Sequence, residues 1–221
     1  MDLKNRGQRM RISAFLLITA ALTAPSIAQN IEHYALPLSM PADRAEDSYA
    51  IYSKLLKSGP IEWRSVKRSQ WLVEDTTTAE SLTFPCQPLA GSHQMNPHTA
   101  VQAPFDRQEE WLQLLADYDQ HCHDVIQLEQ SSFRTELPVR LLNAADQQKF
   151  RETLQNPPAI FADAAGLHQF SEVYFNPGHT LALVQQGMWC GYLCGNWTWV
   201  VLERKNNHWK ILPWTRGSIV A

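Results

Sequence analysis

The feature that most constrains this chain is the pattern of residues 168–214, where four short segments are separated by turn signals. "QFSEVYFN", "TLALVQQGMW", "NWTWVVLERK" and "HWKILPW" are rich in β-branched and aromatic residues, as strands are. Asn176-Pro177-Gly178 divides the first two. Proline fixes φ and glycine accepts a positive φ, so this predicts a type II turn. Asn206-Asn207 divides the last two. In the third segment Trp197, Trp199 and Val201 fall on one face, and Thr198, Val200 and Leu202 on the other. The pattern predicts an antiparallel meander of four strands, with a loose tail over residues 215–221.

The start of the chain predicts where that sheet works. Lys4, Arg6, Arg9 and Arg11 precede the apolar run "ISAFLLITAALTA", and small residues follow at Ser26 and Ala28. That is the layout of a secretory signal peptide over residues 1–28, cleaved after Ala28. The run is shorter than the ~20 residues a membrane span needs. Residues 29–221 are then one exported domain, periplasmic or extracellular, with no stable membrane insertion. Loss of the four basic residues and Asp2 takes the formal net charge from −3 to −6. An acidic surface disfavours nucleic acid and anionic lipid as partners. With 44% hydrophobic residues the chain has enough apolar surface for a folded core.

An oxidising compartment makes the four cysteines disulfide candidates. Three pairings are possible. Cys190 and Cys194 enclose Gly191, Tyr192 and Leu193 at the connection between the second and third strands, and each cysteine is followed by glycine. Such a turn brings two Cα atoms into bridging range. The expected pairs are Cys190–Cys194 and Cys86–Cys122, contributing roughly 2 and 4 kcal/mol through lost chain entropy. A redox pair would more typically be Cys-x-x-Cys at a helix start. A zinc site would need a second ligand pair.

Upstream, "SMPADRAEDSYAIYSKLLKSGP" predicts a helix that buries Ala45, Tyr49, Tyr52 and Leu56, capped by Ser39 or Asp43. "QWLVEDTTT" and "LPVRLLN" predict strands. Residues 79–105 hold four prolines and predict a long surface crossover pinned by Cys86. Residues 106–128 predict a helix with Trp111, Leu115, Tyr118, Cys122 and Val125 on its buried stripe. "AADQQKFRETLQNPP" predicts a short covering helix with Phe150 and Leu154 inward. The fold class expected is α+β: an antiparallel sheet packed by two larger helices and one short one.

The active-site reading is mostly negative. His121 and His123 flank Cys122, but on a helix they point about 200° apart and cannot chelate one ion; Asp117/His121 and Asp119/His123 are instead (i, i+4) pairs that read as solvated neighbours. No metal and no cofactor are expected. Glu172 and Glu203 are the one candidate acid pair for a glycosidase-like hydrolase, against the reading that both are ordinary sheet-face acids. His168, His179 and His208 fall near strand ends or turns. Five of the eight tryptophans lie within residues 189–214, so they either fill the core or form a binding face.

The run "VYFNPGHTLALVQQGMWCGYLCGNWTWVVLERKNNHWKILPW", with "YAIYSKLL" and "WLVEDTTT" upstream, resembles a family of uncharacterised exported bacterial proteins with a C-terminal Cys-Gly-x-x-Cys-Gly β-meander. The resemblance implies export and the meander, and carries no activity. The chain departs from that pattern in the Asn-Trp-Thr-Trp run after Gly195 and in the proline-rich insert.

The functional expectation is a non-catalytic binding or interaction module of the cell envelope. Its surface would be formed by Trp189, Tyr192, Leu193, Trp197 and Trp199 around the cysteine loop, with an envelope protein or a carbohydrate as partner. The alternatives are the Glu172/Glu203 hydrolase and a structural accessory protein.

Overall fold

The computed structural model describes residues 36–58, 68–79, 86, 95–153, 159–161, 163–191, 194–215 and 218–220. The signal-peptide segment 1–28, Tyr192, Leu193, Leu154 and much of the proline-rich crossover lie outside the described residues. In chain order the elements begin with β1 (Leu38–Ser39), α1 (Ala42–Ser58), β2 (Trp71–Glu74) and the single turn α2 (Pro97–Ala100). Then come α3 (Gln108–His121), β3 (Ile126–Gln127), β4 (Val139–Leu142) and α4 (Ala144–Glu152). The C-terminal part holds β5 (Leu167–Phe170), β6 (Tyr174–Phe175), β7 (Leu181–Gly191), β8 (Cys194–Lys205), β9 (His208–Leu212) and β10 (Ser218–Val220).

The meander forms as the turn signals and alternation predict. β7 and β8 pair antiparallel from Leu181↔Glu203 to Gly191↔Cys194. β5 and β6 line the other edge of β7, and β9 pairs with β8. Asn206 and Asn207 both take positive φ, 52° and 60°, as a two-residue type I′ hairpin loop requires. The first turn differs from expectation: the left-handed residue is His179 (φ 49°), not Gly178. Asn176 explains the shift. Its carbonyl accepts from the His179 N–H at 2.9 Å, and its Oδ1 accepts from the N–H groups of Thr180 and Leu181. The His179 ring stacks on Phe175 at 4.5 Å.

The sheet continues beyond the meander as β5-β2-β4, and here the pairing is parallel. The whole is therefore an α+β fold on a mixed, mostly antiparallel sheet. The four-residue strand Trp71–Glu74 is buried throughout, which suits a position between two neighbours and says nothing of their direction. The tail is not loose at its end: Ser218–Val220 pairs with Asn196–Thr198 of β8.

Helices cover both faces, because β7 and β8 send apolar residues to each side. Tyr52, Leu55 and Leu56 of α1 pack with Ala182, Val184, Val200 and Leu202. Trp111, Leu114, Leu115 and Tyr118 of α3 pack with Leu181, Leu183, Trp199 and Val201 on the opposite face. Phe150 of α4 packs with Leu72, Leu142 and Leu167. Each fully buried side chain of this size contributes about 1.5–3 kcal/mol. α3 is shorter than predicted. It ends at His121, Asp124 N–H closes a turn on the His121 carbonyl, and the chain leaves to form β3 beside β1. Val125 is thus off the helical stripe. Both expected disulfides are present, with Cα separations of 6.1 Å for Cys86–Cys122 and 5.0 Å for Cys190–Cys194. Among the described residues no helix is long and apolar enough to cross a membrane.

Candidate functional site

The ionisable side chains that stand out are those gathered where α1, the end of α3 and the break between β5 and β6 meet. Asp117 and His121 are four apart in α3 and so share one helix face. Asp124 follows in the turn after Cys122, the residue that caps the helix and is tied to Cys86. Arg44 comes from the first turn of α1. Glu172 enters from the break, and Ser171 makes that break. Its N–H donates to the Gln185 carbonyl at 3.0 Å and its Oγ accepts from the Gln185 N–H at 2.8 Å. One residue thereby takes both ladder bonds of Gln185. The Tyr52 hydroxyl holds the Ser171 carbonyl at 3.0 Å.

Arg44 Nη1 donates to Glu172 Oε1 at 2.9 Å, and Nη2 donates to Asp117 Oδ1. Asp117 Oδ2 accepts from the Phe175 N–H at 2.8 Å. His121 Nδ1 lies 2.8 Å from Asp124 Oδ2, and Nε2 lies 3.9 Å from Asp117 Oδ1. Glu172 is 2% exposed, and its Oε2 is buried with no hydrogen-bond partner. Burial pushes its carboxyl up to about 7, against the pull of Arg44 and His121 and with the push of Asp124 and Asp117. Burial also opposes the charge on Arg44, yet Asp117 and Glu172 hold that guanidinium above its ordinary value. His121 and Asp124 are 30% and 20% exposed, so the centre is buried at Glu172 and open on the α3 side.

The sequence candidates fall elsewhere or apart. Trp199 is fully buried and Trp197 is 5% exposed, so neither offers a face to a ligand, and the expected aromatic binding surface is corrected on both. Trp197 lies across two glycines: a Cβ at Gly195 would meet its ring at 2.5 Å, and one at Gly187 would meet it at least as closely. Its Nε1 donates to Gln169 Oε1 at 2.8 Å. Trp189 is half-buried, with its ring 6.0 Å from that of Phe150. Tyr192 and Leu193, as residues outside the described set, add nothing here.

The two acids of the hydrolase alternative are not brought together. Glu203 pairs with Leu181, while Glu172 follows the Ser171–Gln185 contact four residues along β7 and on its other edge. With Glu172 level with Val184, three residues from Leu181, about 10 Å along the strand and about 10 Å across it place the backbones about 14 Å apart. Glu203 is held ionised by Lys205 at 2.8 Å and by Arg107 at 2.6 Å.

The histidines do not gather either. His168 is buried edge-on to Trp71, His179 sits on Phe175 near Asp47, and His208 is exposed. His121 faces the charge centre, while His123 is largely exposed. Two open clefts, about 280 and 640 Å³, flank residues 129–139. They share no residue with the centre, and their charged residues Glu46, Glu129 and Arg134 are exposed.

Sequence reasoning met Glu172 and the Asp117/His121 pair separately and missed their meeting, along with Arg44 and Asp124. The available signal was the Asp117/His121 spacing together with an acid inside an otherwise apolar strand segment. Comparison with known proteins returns no matching family model, no matching curated protein and no matching solved structure.

Proposed function

We propose that this chain is an exported, non-catalytic binding module of the cell envelope, and that its ligand-contacting element is the charge centre of Arg44, Asp117, His121, Asp124 and Glu172. The observation that carries this reading is the orphaned Oε2 of Glu172. A buried carboxylate oxygen without a partner costs stability, on the order of 1–3 kcal/mol or more for a charged group. Folding gains nothing from it, whereas a ligand would supply the missing contact. The half-open wall formed by His121 and Asp124 gives that ligand a way in.

Rigidity supports binding. The Cys86–Cys122 bridge fixes the helix end that carries His121 and Asp124, so little freedom is lost when a ligand docks. Two disulfides fit an oxidising compartment, and the resemblance to exported Cys-Gly-x-x-Cys-Gly meander proteins points to the same place. The hydroxyl beside the centre, Ser171 Oγ, donates to the Glu172 carbonyl at 2.7 Å and accepts from Gln185, so it is engaged as a structural group and not as a nucleophile.

The test is native mass spectrometry of the chain recovered from the envelope fraction, beside Glu172→Gln. The reading expects a bound species on the wild type that the variant lacks. An identical apo mass for both contradicts it.

A further inference from the structure

Among the described residues, one set of His, Asp and Glu side chains brings a donor atom from each within 4.8 Å of the others: His121, Asp124 and Glu172. We propose that these three residues bind a divalent transition-metal cation, with Zn²⁺ the best fit. This rests on the reading of the charge centre as the ligand-contacting element and names what it contacts.

Donor chemistry selects the class. One imidazole and two carboxylates suit Zn²⁺ and its first-row neighbours. Ca²⁺ and Mg²⁺ prefer larger all-oxygen sets. Charge balance agrees. With Glu172 ionised, as a bound cation would hold it, Asp117, Asp124 and Glu172 carry three negative charges against one positive on Arg44, so with neutral His121 the centre is −2. Arg44 does not repel the cation freely, because both of its ends are engaged by Asp117 and Glu172.

Geometry supplies the second line. Donors at 2.0–2.2 Å around zinc stand roughly 3.3 Å apart, so these must close by about 1.5 Å at most. Glu172 cannot swing away, since Arg44 holds its Oε1 while Oε2 is buried without a partner. The movement falls to His121 and Asp124, which are partly exposed at the helix end. Asp117 Oδ1, 3.9 Å from Nε2, is beyond hydrogen-bond distance, but with Nε2 ligating, Nδ1 faces the Asp124 carboxylate at 2.8 Å. That is the pairing that orients a ligating imidazole. Three protein ligands leave a fourth position open on the solvent side, where an anionic group of a partner can complete the shell.

The experiment uses the full exported chain with its disulfides intact, stripped with chelator and titrated calorimetrically with Zn²⁺, then Mn²⁺, Ca²⁺ and Mg²⁺. The expected result is one Zn²⁺ per chain, with Ca²⁺ and Mg²⁺ at least about tenfold weaker. Zn²⁺ affinity should fall at least about tenfold in His121→Gln and in Glu172→Gln, and should not change in His123→Gln. If a variant fails to fold, the wild-type histidine resonances read the same contact: Zn²⁺ should perturb His121 and leave His123, His168 and His208 in place. Failure of the wild type to take up Zn²⁺ or Mn²⁺, or uptake that survives His121→Gln, overturns the proposal, as does perturbation of histidines other than His121. Wild type that takes up no cation but leaves the envelope with a bound species absent from Glu172→Gln overturns the cation and spares the binding centre. Apo protein in every case overturns both.

Discussion

Arg44 and Glu172 share a single hydrogen bond, Nη1 to Oε1 at 2.9 Å, and the other oxygen of that buried carboxylate has no partner. The second arm of Arg44 goes to Asp117. The guanidinium therefore bridges two acids on different elements instead of forking onto one, and a half-satisfied carboxylate is the result. A bidentate pair would have satisfied both oxygens.

The packing of Trp197 makes a sharp prediction. Its indole covers Gly187 and Gly195 on neighbouring strands, and a Cβ at either position collides with the ring. Gly187→Ala should cost about 1–3 kcal/mol by overpacking. It should also push Trp197 off Gln169, with a red shift of its emission in a background where the other tryptophans are unchanged. Urea unfolding with no loss of stability would show that the ring does not rest there.

The two disulfides should differ in weight. Cys86–Cys122 spans 36 residues and Cys190–Cys194 only 4. Replacing each pair by alanines should cost about 4 and about 2 kcal/mol on the chain-entropy account. Only the first should loosen the helix end that carries His121 and Asp124. Equal costs, or peptide maps joining Cys86 to either cysteine of the β7–β8 connection, would contradict this.

How much of this was legible follows from where the information lies. The meander, the Asn206-Asn207 turn, three helices and both disulfides rest on local patterns of alternation, turn residues and spacing. The parallel β2–β4 and β2–β5 pairs do not, because a run as short as Trp-Leu-Val-Glu is buried in either direction. The tail became a strand because the outer edge of β8 at Asn196–Thr198 was open to it. The charge centre was illegible for a different reason. Glu172 reads as a sheet-face acid until Ser171 breaks the ladder, and its neighbours lie 48–128 residues away along the chain. Local spacing sets His121 against His123 and ties it to Asp117, but nothing local ties it to Glu172.

His168 sets an acid limit. Burial first, and Arg68 second, lower its imidazole to about 3, so it is neutral when folded and protonates near 6.5 when unfolded. The unfolded state then binds the extra proton between about pH 6.5 and about pH 3. Stability from this group is full above that window and is lost as pH falls through it. His168→Phe should match the wild type's pH response above about pH 7 and gain on it by about 3 kcal/mol at about pH 4. Parallel acid-denaturation curves would reject the assignment.

The central claim is that the Glu172 carboxylate is kept for a ligand and not for the fold. The direct measurement is urea unfolding of Glu172→Gln beside the wild type, both chelator-treated, at about pH 8, where a group titrating at about 7 is mostly ionised. Glutamine keeps the shape and an acceptor for Arg44 while removing the buried charge. The account predicts a variant as stable as the wild type or up to about 3 kcal/mol more stable, that being the cost of ionising the acid in place. A loss of more than about 2 kcal/mol would mean that the ion pair with Arg44 holds the fold together, and would contradict the account.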